Sequence, residues 1–221
     1  KVVLQAALLI FPLGSVLFPG MPLQLRVFEP RYVAMLSSLL SGTEREFGVV
    51  LIERGSEVGG GDVRFAVGTV ARIVSVEVSE GSIHLLANGA TRFEVVRWLQ
   101  DDPFPRAQVR ELAALEADES TPSKLAEAEA LVRATLARAS EFVELPWPAD
   151  VELSPEPGER IWQVAGIAPL SSIDQYALLR STTASELLAR LVDDTQGAEI
   201  VLTAGWDAGS ADGGGGEGTA G

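Results

Sequence analysis

Short runs of apolar or alternating residues, punctuated by proline and glycine, fill the first half of the chain and predict β-structure. Ala7 to Phe11 and Pro22 to Phe28 read as strands, with Pro12, Gly14, Pro19 and Gly20 turning the chain between them. Glu29-Pro30-Arg31-Tyr32 then opens a helix: an acidic cap, proline at the first helical position, and Tyr32, Val33, Leu36, Leu39 and Leu40 at helical spacing until Gly42. Strands resume over Phe47 to Glu53 and Val67 to Val78. Glu80-Gly81 makes a tight turn into Ser82 to Ala87, Asn88-Gly89 carries the strongest hairpin signal in the chain, and strands over Arg92 to Leu99 and Pro105 to Leu112 follow. Six or seven short strands must hide their edges, which predicts a closed or half-closed barrel.

After Leu112 the period changes to that of helices. Thr121-Pro122 caps a stripe of Leu125, Ala128, Val132, Thr135, Leu136, Ala139 and Phe142, spaced by threes and fours. Leu145 to Gly158, with four prolines and Trp147, is a loop. Glu159 to Ile167 is a short helix. Ser171 with Asp174, and Thr183 with Glu186, are capping signatures that open two more, the second running from Ala184 through Asp194 and toward Leu202. From Ala204 the chain is glycine-rich with one large side chain, Trp206, and no core can hold it. The expected organisation is α+β: a strand-rich subdomain over 1–115 containing one short helix, a C-terminal helical bundle over 116–203, and a disordered tail over 204–221.

Charge sharpens this division. Of the 17 basic and 31 acidic side chains, residues 1–110 hold 11 of each, so the whole excess of 14 negative charges lies in the second half. No run of lysine or arginine occurs, which argues against a general nucleic-acid binder. Cysteine is absent, which excludes disulfides, thiolate metal sites and a cysteine nucleophile, and fits a reducing cytoplasm. The longest apolar stretches, such as Gly48 to Ile52, fall far short of the roughly 20 residues of a membrane span. Lys1 to Phe11 lacks a small-residue cleavage site and is not read as a signal peptide.

Candidate chemistry is sparse. His84 is the only histidine and sits in a predicted strand, so no metal site is expected. Gly59-Gly60-Gly61-Asp62 has no following Gly-Lys-Ser or Gly-Lys-Thr and reads as a hairpin tip, not a phosphate loop. Ser123 and Lys124 are direct neighbours and face different ways on a helix, so they form no catalytic pair. Glu116, Glu119, Glu127, Glu129, Glu141 and Glu144 read as solvated helix faces. The turn-forming prolines and glycines are read as architectural. Arg31 is expected in a structural pair with a carboxylate rather than at a ligand.

Four segments, in order, resemble the family of the Lon protease N-terminal domain. They are Leu9 to Tyr32 (LIFPLGSVLFPGMPLQLRVFEPRY), Gly68-Thr69-Val70-Ala71 with Ile73, Gly81 to Phe93 (GSIHLLANGATRF), and Pro169 to Leu179 (PLSSIDQYALL) with Ala184-Ser185-Glu186-Leu187-Leu188. The resemblance implies a PUA-like β-barrel followed by a helical bundle, and a standalone bacterial member without the AAA+ and peptidase domains. It implies recognition of unfolded or extended protein segments, alone or with a separate protease or chaperone, without a cofactor, a metal or catalytic residues. An extended chain needs an exposed apolar groove or a sheet edge. The candidates to line it are Phe18, Met21, Phe28, Arg31 and Trp147. The rival expectation is RNA binding by the barrel, which would need several of Arg26, Arg31, Arg64, Arg72, Arg92, Arg97, Arg106 and Arg110 on one face beside an exposed aromatic ring.

Overall fold

The computed structural model describes residues 7–43, 45–54 and 63–210. The hairpin tip expected at Gly59–Asp62 lies outside them. Strands β1 (Leu8–Leu13) and β2 (Pro22–Val27) precede helix α1 (Pro30–Ser41). Strands β3 (Glu46–Arg54), β4 (Val63–Ser79), β5 (Ser82–Trp98) and β6 (Arg106–Glu111) follow, then helices α2 (Thr121–Ala139), α3 (Pro157–Ile167), α4 (Ser172–Leu179) and α5 (Ala184–Ser210). All six strands form one mixed sheet. β1 and β3 pair in parallel, which requires the crossover that β2 and α1 supply. The other ladders are antiparallel, and the pairings run β1–β3–β4–β5–β6 and back to β1. β2 stands outside that circuit and pairs only with the first half of β5.

Asn88-Gly89 is not the hairpin turn that its dipeptide suggests. β5 runs straight through it, pairing with β2 over Ile83–Asn88 and with β6 over Phe93–Trp98. Gly89 is needed there for close approach. A Cβ on it would stand 2.2 Å from the Phe18 carbonyl oxygen, and Gly89 exchanges backbone hydrogen bonds with Gly20 (2.9 Å) and Met21 (2.8 Å). The turn is at Glu80-Gly81, where Gly81 has φ +73°.

Alternation divides the strand side chains between two clusters. Ile10, Val50, Phe93, Ala107 and Val109 make a small cluster contributed by strands around the circuit. The Phe93 ring fills space left by Gly48 and Gly68, where an added Cβ would come within 2.7 Å of it. The opposite faces, with Phe11, Phe47, Val49, Leu51 and Val67, join the large cluster. Phe11 stacks on Tyr32 of α1 at 4.0 Å between ring centroids. The same cluster takes in Leu125, Val132 and Leu136 of α2, Ile161 and Trp162 of α3, Leu178 of α4 and Leu187 and Leu191 of α5. One core therefore spans the expected boundary at residue 115.

Helices α2 and α5 run parallel. At their starts, Ser185 donates to Asp118 (2.8 Å) and Lys124 Nζ donates to Ser185 (3.0 Å); at the end of α2, Arg138 pairs with Glu199 in the middle of α5. Asp118, not the expected Thr121, organises the start of α2 by accepting from the backbone (2.8 Å) and hydroxyl (2.6 Å) of Ser120. Those hydrogen bonds, with that of Ser185, hold its carboxyl well below the usual range. Both capping signatures form: Ser171 accepts from the Asp174 N–H (3.2 Å), and Thr183 from the Glu186 N–H (3.1 Å). Glu29 does not cap α1 through its side chain, and its carboxylate pairs instead with Arg31 Nε at 2.5 Å. Phe142 drops out of the α2 stripe, since the helix stops at Ala139 and the ring is exposed. α5 continues to Ser210, past the point at Ala204 where the tail was expected to begin.

Candidate functional site

Three of the five candidate residues meet. Phe18, Met21 and Trp147 line one apolar cavity of about 400 Å³. Its floor is buried Leu17, Phe18, Met21, Leu136 and Ile167; its partly exposed walls include Val16, Leu23, Leu145, Trp147 and Leu170. The rim residues Ser15 and Gln175 are polar, and no charged side chain lines it. Phe18 is 1% exposed and stacks on Trp162 at 5.9 Å, so it shapes the floor from within the core. Trp147 offers ring surface from the proline-rich loop. Phe28 and Arg31 lie elsewhere. Phe28 is 55% exposed just beyond the far end of β2, and Arg31 lies against the Tyr32 ring at 4.5 Å while paired with Glu29.

Apart from Leu23 of β2 the walls are loops, which need partners to keep their place. The Gly14–Met21 connection is tied down at several points. The buried Thr69 hydroxyl donates to Leu17 O (2.6 Å), Gln163 Nε2 to Gly20 O (3.0 Å), Ser172 Oγ to Gly14 O (3.1 Å) and Gly89 N to Met21 O (2.8 Å). Gln163 also accepts from Ser154 N (2.6 Å) and so joins this connection to the proline-rich loop. That loop is gripped by two arginines. Arg133 donates to the carbonyls of Ala149 (2.6 Å) and Val151 (3.1 Å), and Arg160 to that of Ser154 (3.0 Å). Glu129 holds both guanidinium groups, accepting from Arg160 (2.7 Å) and Arg133 (2.9 Å). Sequence reading placed Glu129 on a solvated face and did not single out Gln163 or Arg133. A glutamate four residues before an arginine was a signal for the Arg133 contact only.

The hydrogen bonds from Arg160, and after them those from Arg133, keep the Glu129 carboxyl below its ordinary value of 4.5. A folded-state value below the unfolded one adds stability that is complete above about that pH and is lost as pH falls through the folded value. Glu129→Gln is therefore expected to lower stability by about 2 kcal/mol at pH 7. The gap from wild type should narrow steadily in urea titrations taken below pH 4.5. A gap of constant size would rule out the carboxylate as the clamp.

Most other candidate groups among the described residues already have partners within the fold. Of the eight arginines that an RNA site could draw on, Arg31, Arg64, Arg72 and Arg110 pair with Glu29, Asp101, Glu46 and Glu94. Arg92 is 6% exposed and donates to the carbonyls of Leu179 (2.7 Å), Ser181 (2.7 Å) and Ala113 (2.8 Å). No group of three His, Cys, Asp or Glu residues is placed to hold a metal, and His84 stands near the Ser82 hydroxyl at 3.4 Å. No described helix is long and apolar enough to cross a membrane. Lys124 does approach a serine, Ser185, but as a hydrogen-bond donor, and the serine proton goes to Asp118. A general base would have to accept that proton.

Comparisons with known proteins bear on the family and the fold. The sequence model of the family described as the ATP-dependent protease La (LON) substrate-binding domain matches residues 7–193. Lon protease 2 of Myxococcus xanthus is 34% identical over 140 residues, which are 62% of this chain and 16% of that protein, so the chain spans only a small part of its relative. The crystal structure of a Lon N-terminal domain protein from Xanthomonas campestris superposes with a TM-score of 0.60 at 27% identity, covering 86% of this chain and 98% of the other. The N-terminal domain of the Mycobacterium avium complex Lon protease gives 0.63 with the same coverages at 18% identity, a likeness of fold. The resemblance read from Leu9 to Leu188 thus extends over most of the described chain, and the chain belongs to the Lon substrate-binding domain family.

Proposed function

We propose that this chain binds extended or unfolded protein segments, without catalysing a reaction itself, and that the apolar groove between the Gly14–Leu23 connection, the proline-rich loop and the α3–α4 connection is where it does so. The observation that carries this reading is the groove's lining: apolar throughout, with polar groups only at the rim, and built from loops that hydrogen bonds hold open. Such a surface takes apolar side chains without asking for a particular partner charge. The closed circuit of pairings is read here as the PUA-like barrel of the family, with the groove between it and the helices. Phe18 and Met21 would set the floor and Trp147 would be the contact residue. Phe28 and Arg31 are not part of this site. Delivery of the bound segment to a separate protease or chaperone is part of this reading.

Trp147→Ala tests the reading, because Trp147 is a wall residue and its removal leaves the floor intact. Binding of a fluorescently labelled, permanently unfolded protein should weaken by about tenfold, the usual loss at an aromatic contact. The urea midpoint should fall modestly, since the ring is half-buried against the core, while the protein stays folded. Equal binding by Trp147→Ala and wild type would place the segment elsewhere.

A further inference from the structure

The groove does not end at Leu23. It opens onto β2, whose ladder with β5 is complete on one side and absent on the other. The register decides which main-chain groups face outward. Gly89 N donates to Met21 O, which makes Met21 and Gly89 a hydrogen-bonded pair, so by antiparallel alternation Leu23, Leu25 and Val27 direct their N–H and C=O toward β5. Gln24 and Arg26 direct theirs away, as does Pro22 its carbonyl. Proline at position 22 agrees with this, since its nitrogen faces outward and no ladder bond is lost. No described backbone group meets the outward set.

We infer that the outer edge of β2 takes the bound segment as an added strand, with main-chain hydrogen bonds to Gln24 and Arg26 and with alternate apolar side chains directed over Leu23 into the groove. This deepens the reading above and rests on it. The repeating donors and acceptors of an unpaired strand are matched only by another extended backbone. The inner-facing row beside the guest is apolar (Leu23, Leu25) and the outer-facing row is polar (Gln24, Arg26), so the guest needs alternation, apolar against the inner row and polar against the outer. The excess charge of −14 lies in the helical half and not on β2 itself; acting on the molecule as a whole, it repels a second copy and favours the approach of a neutral or basic segment.

The probe is a labelled peptide of alternating leucine and threonine flanked by lysines, measured by anisotropy against the intact chain. Two twins carry N-methyl groups, one on every leucine amide and the other on every threonine amide. Methylation of the set facing β2 should abolish binding, while methylation of the other set should leave affinity within about twofold. Gln24→Pro, which deletes an outward N–H and spares the β5 ladder, should weaken the parent peptide at least tenfold. If Gln24→Pro lowers the urea midpoint, the two twins alone decide. Equal binding of both twins and the parent overturns strand addition, and so does absence of binding by the parent. In either case the unfolded-protein probe and Trp147→Ala report separately on the groove. Sedimentation showing a dimer that Gln24→Pro dissolves would overturn the inference in favour of a self-paired edge.

Discussion

Arg92→Met should be the most damaging single substitution short of a broken backbone, lowering stability by about 4 kcal/mol. The guanidinium lies over the Trp162 ring at 4.8 Å and bonds three carbonyls: Ala113 in the segment after β6, Leu179 at the end of α4 and Ser181 in the turn beyond it. Burial pushes its pKa down, yet an arginine keeps its charge. Methionine would match the apolar stem and leave three carbonyls short of a donor inside the structure. Urea unfolding should show the midpoint falling with an unchanged slope, and the melting temperature falling by about 10 °C. Arg92→Lys should recover less than half of the loss, because one ammonium cannot span three acceptors as a planar fork does. If Arg92→Met proves nearly neutral, the arginine is not the tie between β5 and the helices.

Gly89→Ala is the second, and it reads out on stability and binding together. The new methyl would sit 2.2 Å from the Phe18 oxygen and 3.0 Å from its carbonyl carbon, both backbone atoms that cannot rotate away. The Phe18–Gly20 turn must lift off β5, weakening the Gly20–Gly89 and Gly89–Met21 hydrogen bonds and moving two residues of the groove floor. The expected loss is about 3 kcal/mol, at the upper end of overpacking effects, with a parallel fall in peptide affinity. Gly158→Ala is the control, since nothing lies within 4 Å of a Cβ there, and it should be close to neutral. Full peptide affinity in Gly89→Ala would show that the turn does not shape the groove.

These two residues, with Gly68 and Thr69, account physically for the two middle motif segments through which the family was recognised. Gly68 lets β3 and β4 close over Phe93, where a Cβ would stand 2.2 Å from the Val49 oxygen. Thr69 carries the hydroxyl that pins Leu17, Gly89 admits the Phe18 turn, and Arg92 gathers the chain from α4. Gly68, Thr69, Gly89 and Arg92 thus record where separate parts of the chain touch, and none of these four needs to meet a ligand.

What the linear sequence determined by itself is what local physics controls. Proline positions, the capping hydroxyls of Ser171 and Thr183, the three-and-four spacing of α2 and the segregation of acid into the second half are short-range properties, and they placed nearly every element within a few residues. What only the tertiary structure decided depends on partners far away in the chain. Asn88-Gly89 has the dipeptide of a turn, but Phe18 pressing on Gly89 and β2, β4 and β6 flanking β5 make one long strand of it. Phe18, Met21 and Trp147 fall into one groove, and Phe28 outside it, because Gln163, Arg133 and Arg160 reach across the fold to set two loops. A turn that gains two backbone hydrogen bonds and a tryptophan wall that rests on a distant glutamate are consequences of packing, and packing is not periodic along a chain.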